Sequence, residues 1–166
     1  MILFALSLVL AVFPLALIVR LAAGNYSAFP DKVASHFDFT GTPDAYMGKK
    51  PFFMLMVSLA AGLTVLFVGL AFVVRAVVLG FENPPINLIN KEYWLDPARK
   101  DATAAFLAAW VCLPGAGILW VLLDVFWQAI QVNLGKAQKM RFRGLYAFLV
   151  FMAVWIAVVL VRFGHT

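Results

Sequence analysis

Apolar side chains run without a charge through residues 2–19, 52–74, 104–123 and 145–161. A helix rises about 1.5 Å per residue, so runs of about 17 to 25 apolar residues match a hydrocarbon layer of about 30 Å. The pattern predicts an all-α polytopic membrane protein with four transmembrane helices, over residues 2–22, 52–79, 97–131 and 145–162. Two long connections, 24–51 and 81–96, are expected to be structured loops, and a third, 135–144, is short. The chain thus divides into a first helical pair, residues 1–80, and a second, residues 81–166. No internal repeat relates the two halves, which removes the signature of an inverted-repeat transporter. The first run has no Lys or Arg between Met1 and Val19 and no small-x-small site at its end, so it reads as a retained anchor; Leu21-Ala22-Ala23-Gly24 leaves cleavage open as an alternative.

Helices pack in lipid through small residues, because acyl chains compete equally well for large apolar ones. Gly62 with Gly69, Ala105 with Ala109, and Ala153 with Ala157 are expected to mark packing faces. Pro14 and Pro114 interrupt the first and third helices, and Pro114-Gly115 with Gly117 points to a kink in the third. In the second connection Pro84-Pro85 stops any helix, Asn83, Asn87 and Asn90 supply hydrogen-bonding groups, and Tyr93 and Trp94 read as interfacial belt residues.

Composition then narrows the classes. With 64% hydrophobic and 13% charged residues and a mean hydropathy of +0.95, too few polar side chains remain to coat a water-soluble domain. The net charge of +5 does not point to nucleic acid, because the cations gather at the ends of the apolar runs, where they anchor helices among lipid headgroups. Arg20, Lys32, Lys49, Lys50, Lys136, Lys139, Arg141 and Arg143 fall on one side, and Arg75, Lys91, Arg99, Lys100 and Arg162 on the other. The positive-inside rule assigns the first and third connections to the cytoplasm. Arg20 and Arg75 are expected to snorkel to the surface. With Asp96 as cap and Pro97 as first residue of the third helix, Asp124 falls near that helix's far interface, where it is expected to snorkel to headgroups or to pair with Lys136 or Arg143. Cys112 has no partner cysteine and sits in an apolar run, as a buried, inert thiol does.

The first connection carries the most patterned polar segment. Val33, Ser35, Phe37 and Phe39 alternate with Ala34, His36, Asp38 and Thr40, so an extended run would present one mainly apolar face and place His36 and Asp38 on the other. Gly41, Pro43 and Gly48 punctuate turns, in one of which Asp44 is placed to accept from backbone amides. A compact strand-like element on the membrane surface is expected, with Phe37, Phe39 and Tyr46 dipping into the interface.

A transmembrane helix, then Pro30, His36-Phe37, Gly41, Asp44 and Lys49 at their present spacing, then a second transmembrane helix, resembles the domain of unknown function at the N-terminus of SdpI-type bacterial immunity proteins. The resemblance covers roughly the first 80 residues. It implies a multi-pass protein of the bacterial cytoplasmic membrane and, in that family, protection against a secreted toxin coupled to sequestration of a repressor at the membrane. Residues 103–166 do not match the family's usual C-terminal module, and the chain looks like a shorter four-helix subgroup.

The chain has no GxSxG, HExxH or Walker loop and no Ser-His-Asp spacing, so hydrolysis and phosphoryl transfer have no motif behind them. No cofactor is implied. The leading expectation is a non-enzymatic membrane protein that recognises a protein or peptide through residues 29–50, with Pro30, His36, Phe37, Gly41, Asp44 and Lys49 as the recognition set. An accessory subunit of a larger membrane complex, or a homo-oligomer, is the alternative. A third reading is a metal-dependent membrane enzyme, for which His36, Asp38 and Asp44 offer the ligand types.

Overall fold

The computed structural model describes residues 1–164. The elements are α1 (Ile2–Asn25), a 3-10 turn at Tyr26–Ala28, β1 (Lys32–Phe37), β2 (Pro43–Gly48), α2 (Lys49–Gly80), α3 (Lys91–Leu95), α4 (Lys100–Asn133) and α5 (Arg143–Gly164). α1, α2, α4 and α5 are long and apolar enough to cross a membrane, as the charge-free runs require. The expected helix starting at Pro97 begins at Lys100 instead. Asp96 Oδ1 accepts from the Ala98 N–H at 2.9 Å and the Asp96 carbonyl accepts from Arg99 and Lys100, so the residue closes a turn before the helix rather than capping it.

α4 is the axis of the bundle, in contact with α1, α2, α5 and β1. It can serve as one because Ala104, Ala105, Ala108, Ala109, Cys112 and Ala116 are all but fully buried, which lets neighbouring backbones approach closely. The buried residues of α1, which contacts both α4 and α2, are Phe4, Ser7, Ala11, Pro14, Ile18 and Ala22, the three-and-four spacing of a single helical stripe. α5 lies at the periphery, with none of its membrane-spanning window buried.

Several expected packing residues face elsewhere. Gly62 and Gly69 are exposed with open space beside them, and Ala153 and Ala157 are exposed on α5. The close approaches occur at Gly115, where a Cβ would fall on the Phe67 ring of α2, and at Gly117, where it would lie 2.7 Å from Phe148 of α5. Both proline-containing helices run on through their prolines. Pro14 has no N–H to give the Leu10 carbonyl, and the Trp120 indole of α4 donates to that oxygen at 3.2 Å. The vacancy in α1 thereby becomes a cross-link between α1 and α4.

The first connection folds into an antiparallel hairpin, a small two-stranded sheet added to the helical bundle. Lys32 pairs with Gly48, Val33 with Met47, Ala34 with Tyr46, His36 with Ala45 and Phe37 with Pro43. The expected strict alternation fails: Val33 and Ala34, successive residues in regular register, are both buried, the register shifts on either side of His36, and Phe39 lies beyond the strand in solvent-accessible space.

At the opposite end of the bundle, the second connection contains α3. Trp94, expected at the membrane surface, is buried there, and its carbonyl accepts from the Thr103 hydroxyl at 2.7 Å. Arg75 does not snorkel freely either. Its side chain is one-fifth exposed, lies 5.9 Å from the Phe4 ring centroid and approaches Asp101 at 3.5 Å.

The glycines provide a test of this packing. Gly115→Ala should destabilise the detergent-solubilised protein by about 1–3 kcal/mol through overpacking against Phe67. Gly62→Ala and Gly69→Ala should be neutral or stabilising by up to about 1 kcal/mol from helix propensity. Thermal unfolding of the three variants reads the contrast, and equal losses would refute this arrangement of α2 on α4.

Candidate functional site

The hairpin rests on an aromatic base. Phe29 precedes β1, Phe52 and Phe53 open α2, and Phe126 comes from α4; the Phe29 and Phe53 ring centroids are 4.9 Å apart, and Phe52 and Phe126 are 5.8 Å apart. All four rings are buried. Phe37 and Met47 pack against this core from the strands.

Two polar contacts fix the hairpin to the second half of the chain. Asn133, the last residue of α4, accepts from the Ala34 N–H at 2.7 Å and donates to the Ala34 carbonyl at 3.0 Å. Its carboxamide thus pairs with the open edge of β1 as another strand would, while also donating to the Ala129 carbonyl at 2.9 Å. Gly41, at the hairpin turn with φ +81°, accepts from the Met140 N–H at 2.9 Å; a Cβ there would fall on the Met140 carbonyl. Lys49 closes the base of the hairpin, with its Nζ 3.3 Å from Asp31, 3.4 Å from the Phe29 carbonyl and 5.4 Å from the Tyr26 ring centroid.

The residues singled out in the sequence therefore divide by role. Phe37, Gly41 and Lys49 hold the hairpin down. Pro30 is exposed at its entry. His36 and Asp44 face outward, with Nδ1 and Oδ1 2.5 Å apart and side chains 67% and 45% exposed. Asp44 pairs with His36 rather than with turn amides; Asp38 takes that role, accepting from the Thr40 and Thr42 N–H groups at 2.8 and 2.9 Å and from the Thr40 hydroxyl at 2.7 Å. These bonds, the Thr40 hydroxyl first, hold the Asp38 carboxyl below its usual value of 3.8. With Asp38 committed to the turn, His36, Asp38 and Asp44 do not come together as ligands, and no group of three His, Cys, Asp or Glu suited to a metal forms among the described residues. Elsewhere on the hairpin and its turn, Phe39 and Tyr46 are 91% and 55% exposed, and Lys32 Nζ lies 5.6 Å from the Tyr46 ring centroid. The hairpin and its turn thus expose an imidazole, a carboxylate and two aromatic rings on a backbone that is pinned from behind.

The anchors Asn133 and Met140 escaped sequence reasoning, being about 100 residues from their partners; a lone Asn at the end of an apolar helix was the available signal. Asp124 also pairs differently than expected. It accepts from the Gln128 amide at 2.7 Å, and the Gln128 oxygen accepts in turn from the Arg141 N–H. A Cβ at Gly144 would lie 2.5 Å from Asp124 Oδ2, so the carboxylate sits against the first turn of α5, where the helix dipole favours it.

Asn133→Ala should cost about 1–3 kcal/mol, since it removes hydrogen bonds and strands the Ala34 amide. Gly41→Ala should cost at least about 1–2 kcal/mol from its left-handed backbone alone. Both losses are measurable by thermal unfolding, and both variants should expose the hairpin amides to hydrogen exchange. Because the Asp38 pKa is depressed on folding, its stabilisation is present above the unfolded value of 3.8 and is lost as pH falls through and below it. The stability advantage of the wild type over Asp38→Asn should therefore be constant near neutrality and shrink on acidification; an advantage unchanged down to pH about 3 would contradict the turn assignment.

Residues 2–61 match the family model of a domain of unknown function (DUF1648), a stretch that contains α1, the whole hairpin and the start of α2. No curated protein and no solved structure matches the chain. The matched segment includes Pro30, His36, Phe37, Gly41, Asp44 and Lys49, whereas Asn133 and Met140 lie outside it.

Proposed function

We propose that this chain is a non-enzymatic membrane protein that recognises a protein or peptide through the outward face of the hairpin. The observation that carries the reading is the exposed His36–Asp44 pair on a hairpin whose Phe39 and Tyr46 rings are also exposed. An ion pair so open to solvent contributes only about 0–1 kcal/mol to stability, so folding gives little reason for it. Aromatic rings on a pre-organised backbone are the kind of group that anchors protein interfaces, because little entropy is lost when they bind. The resemblance to the N-terminal domain of SdpI-type immunity proteins supports the same reading and adds a bacterial cytoplasmic membrane as the setting. The positive-inside count assigns the hairpin to the cytoplasmic side, which favours a signalling or sequestering role over contact with a secreted toxin.

A photo-crosslinking residue at Tyr46 should give a discrete protein adduct in cells, and His36→Ala with Asp44→Ala should abolish it while changing stability by less than about 1 kcal/mol. Substrate turnover by the purified protein that depends on the same two residues would overturn the proposal. Asp31→Cys in a Cys112→Ala background should resist an impermeant thiol reagent in intact cells and react after lysis, and labelling of intact cells would move the partner outside.

The accessory-subunit reading is favoured by one feature, the unburied membrane window of α5. It requires co-purification with a second membrane protein at fixed stoichiometry after mild extraction, and an adduct confined to α5 rather than the hairpin.

A further inference from the structure

Next to the hairpin lies a cavity of about 820 Å³, walled by Thr40 of the hairpin turn, the last turns of α4, the 134–142 connection and Arg143 of α5. Lys136, Lys139, Arg141 and Arg143 line it, all four exposed. None of the four is within ion-pair distance of a carboxylate among the described residues. The one carboxylate in the wall, Asp124, is already engaged by Gln128. Four cations drawn together, of which only Lys139 acts on a nearby carboxylate outside the wall, that of Asp38, leave a positive potential that calls for an anion.

Asp124 and Trp127 also wall a second cavity, of about 400 Å³, between α1 and α4. Its other lining residues are Leu17, Leu21, Trp120 and Leu123, with Arg20 beside them. Trp120 and Trp127 stand one heptad apart on α4 and are 39% and 46% exposed. The two cavities share Asp124 and Trp127 as walls, so a basic chamber at the bundle end adjoins an apolar groove along membrane-spanning helices. A soluble anion would use only the chamber. A molecule with an anionic head and an acyl chain matches both.

We propose that this pair of cavities binds one anionic phospholipid, its phosphate head among Lys136, Lys139, Arg141 and Arg143 and one acyl chain along Leu17, Leu21 and Leu123. Trp127, shared by both cavities, stands where head and chain join, the position tryptophan favours at a membrane interface. The site is separate from the outward face of the hairpin, and it links the hairpin turn, through Thr40, to lipid bound beside α4.

The test uses the full chain in detergent micelles, titrated with phosphatidylglycerol brominated on its acyl chains, with tryptophan fluorescence as the readout. Saturable quenching that weakens strongly in Trp127→Phe is expected, with brominated phosphatidylcholine giving only the unsaturable quenching of bulk contact. Each cation near an anionic headgroup strengthens attachment about fivefold, so Lys139→Gln with Arg141→Gln should weaken binding by roughly 25-fold. Both side chains are exposed, so unchanged circular dichroism should confirm folding. Leu21→Trp, which narrows the groove, should weaken the lipid without affecting inorganic phosphate. Equal quenching by the two lipids, affinity unaltered in the double variant, or full competition by inorganic phosphate at concentrations comparable to the lipid would each overturn the proposal.

Discussion

Hydrocarbon offers no hydrogen bonds, so each backbone group that enters it must find a partner within the chain. The four long helices satisfy this locally. The hard places are where helical pairing fails or ends, and there the chain uses side chains of α4. Trp120 supplies the donor that Pro14 cannot give to Leu10, and Asn133 closes the open edge of β1 where the helix meets the hairpin. α4 can reach both places because its alanine-rich face lets α1 and α2 approach it closely. Packing and hydrogen bonding thus depend on the same helix.

The hairpin illustrates how a two-stranded sheet, marginal by itself, becomes a rigid platform. Buried aromatic rings support it from below, Asn133 holds one strand, and Met140 holds its turn at a glycine that no larger residue can replace. The polar groups that remain exposed contribute little to this stability. His36 and Asp44 can therefore change with little effect on folding, which is the condition under which a surface can serve recognition.

Charge is distributed unevenly between the two ends. The hairpin and the 134–142 connection meet through Gly41 and Met140, so the eight cations of the first and third connections share one end of the bundle. At the other end cations are held closely: Arg99 lies 4.1 Å from the Tyr93 ring centroid, Lys100 donates to the Phe81 carbonyl at 2.7 Å, and Arg75 is mostly covered. Lys136, Lys139, Arg141 and Arg143 are exposed and make no ion pair among the described residues, and only Lys139 acts on a nearby carboxylate, that of Asp38.

The number, approximate limits and membrane-spanning character of the helices were legible in the sequence, because lipid imposes a length and an absence of charge that composition records directly. The patterned polar segment was legible too, and His36 and Asp44 prove to share one surface. What the sequence did not determine was which small residues touch. Gly62 and Gly69 have the right spacing and face outward, whereas Gly115 and Gly117 make the contacts, since the rotation of a helix about its axis is set by its neighbours and hydrophobicity all round gives no direction. Nor did alternation in residues 33–40 reveal the register shifts around His36 or the burial of both Val33 and Ala34. Only the tertiary structure could bring Asn133 to Ala34 and Met140 to Gly41, because those contacts join segments about 100 residues apart and leave no periodic trace in the chain.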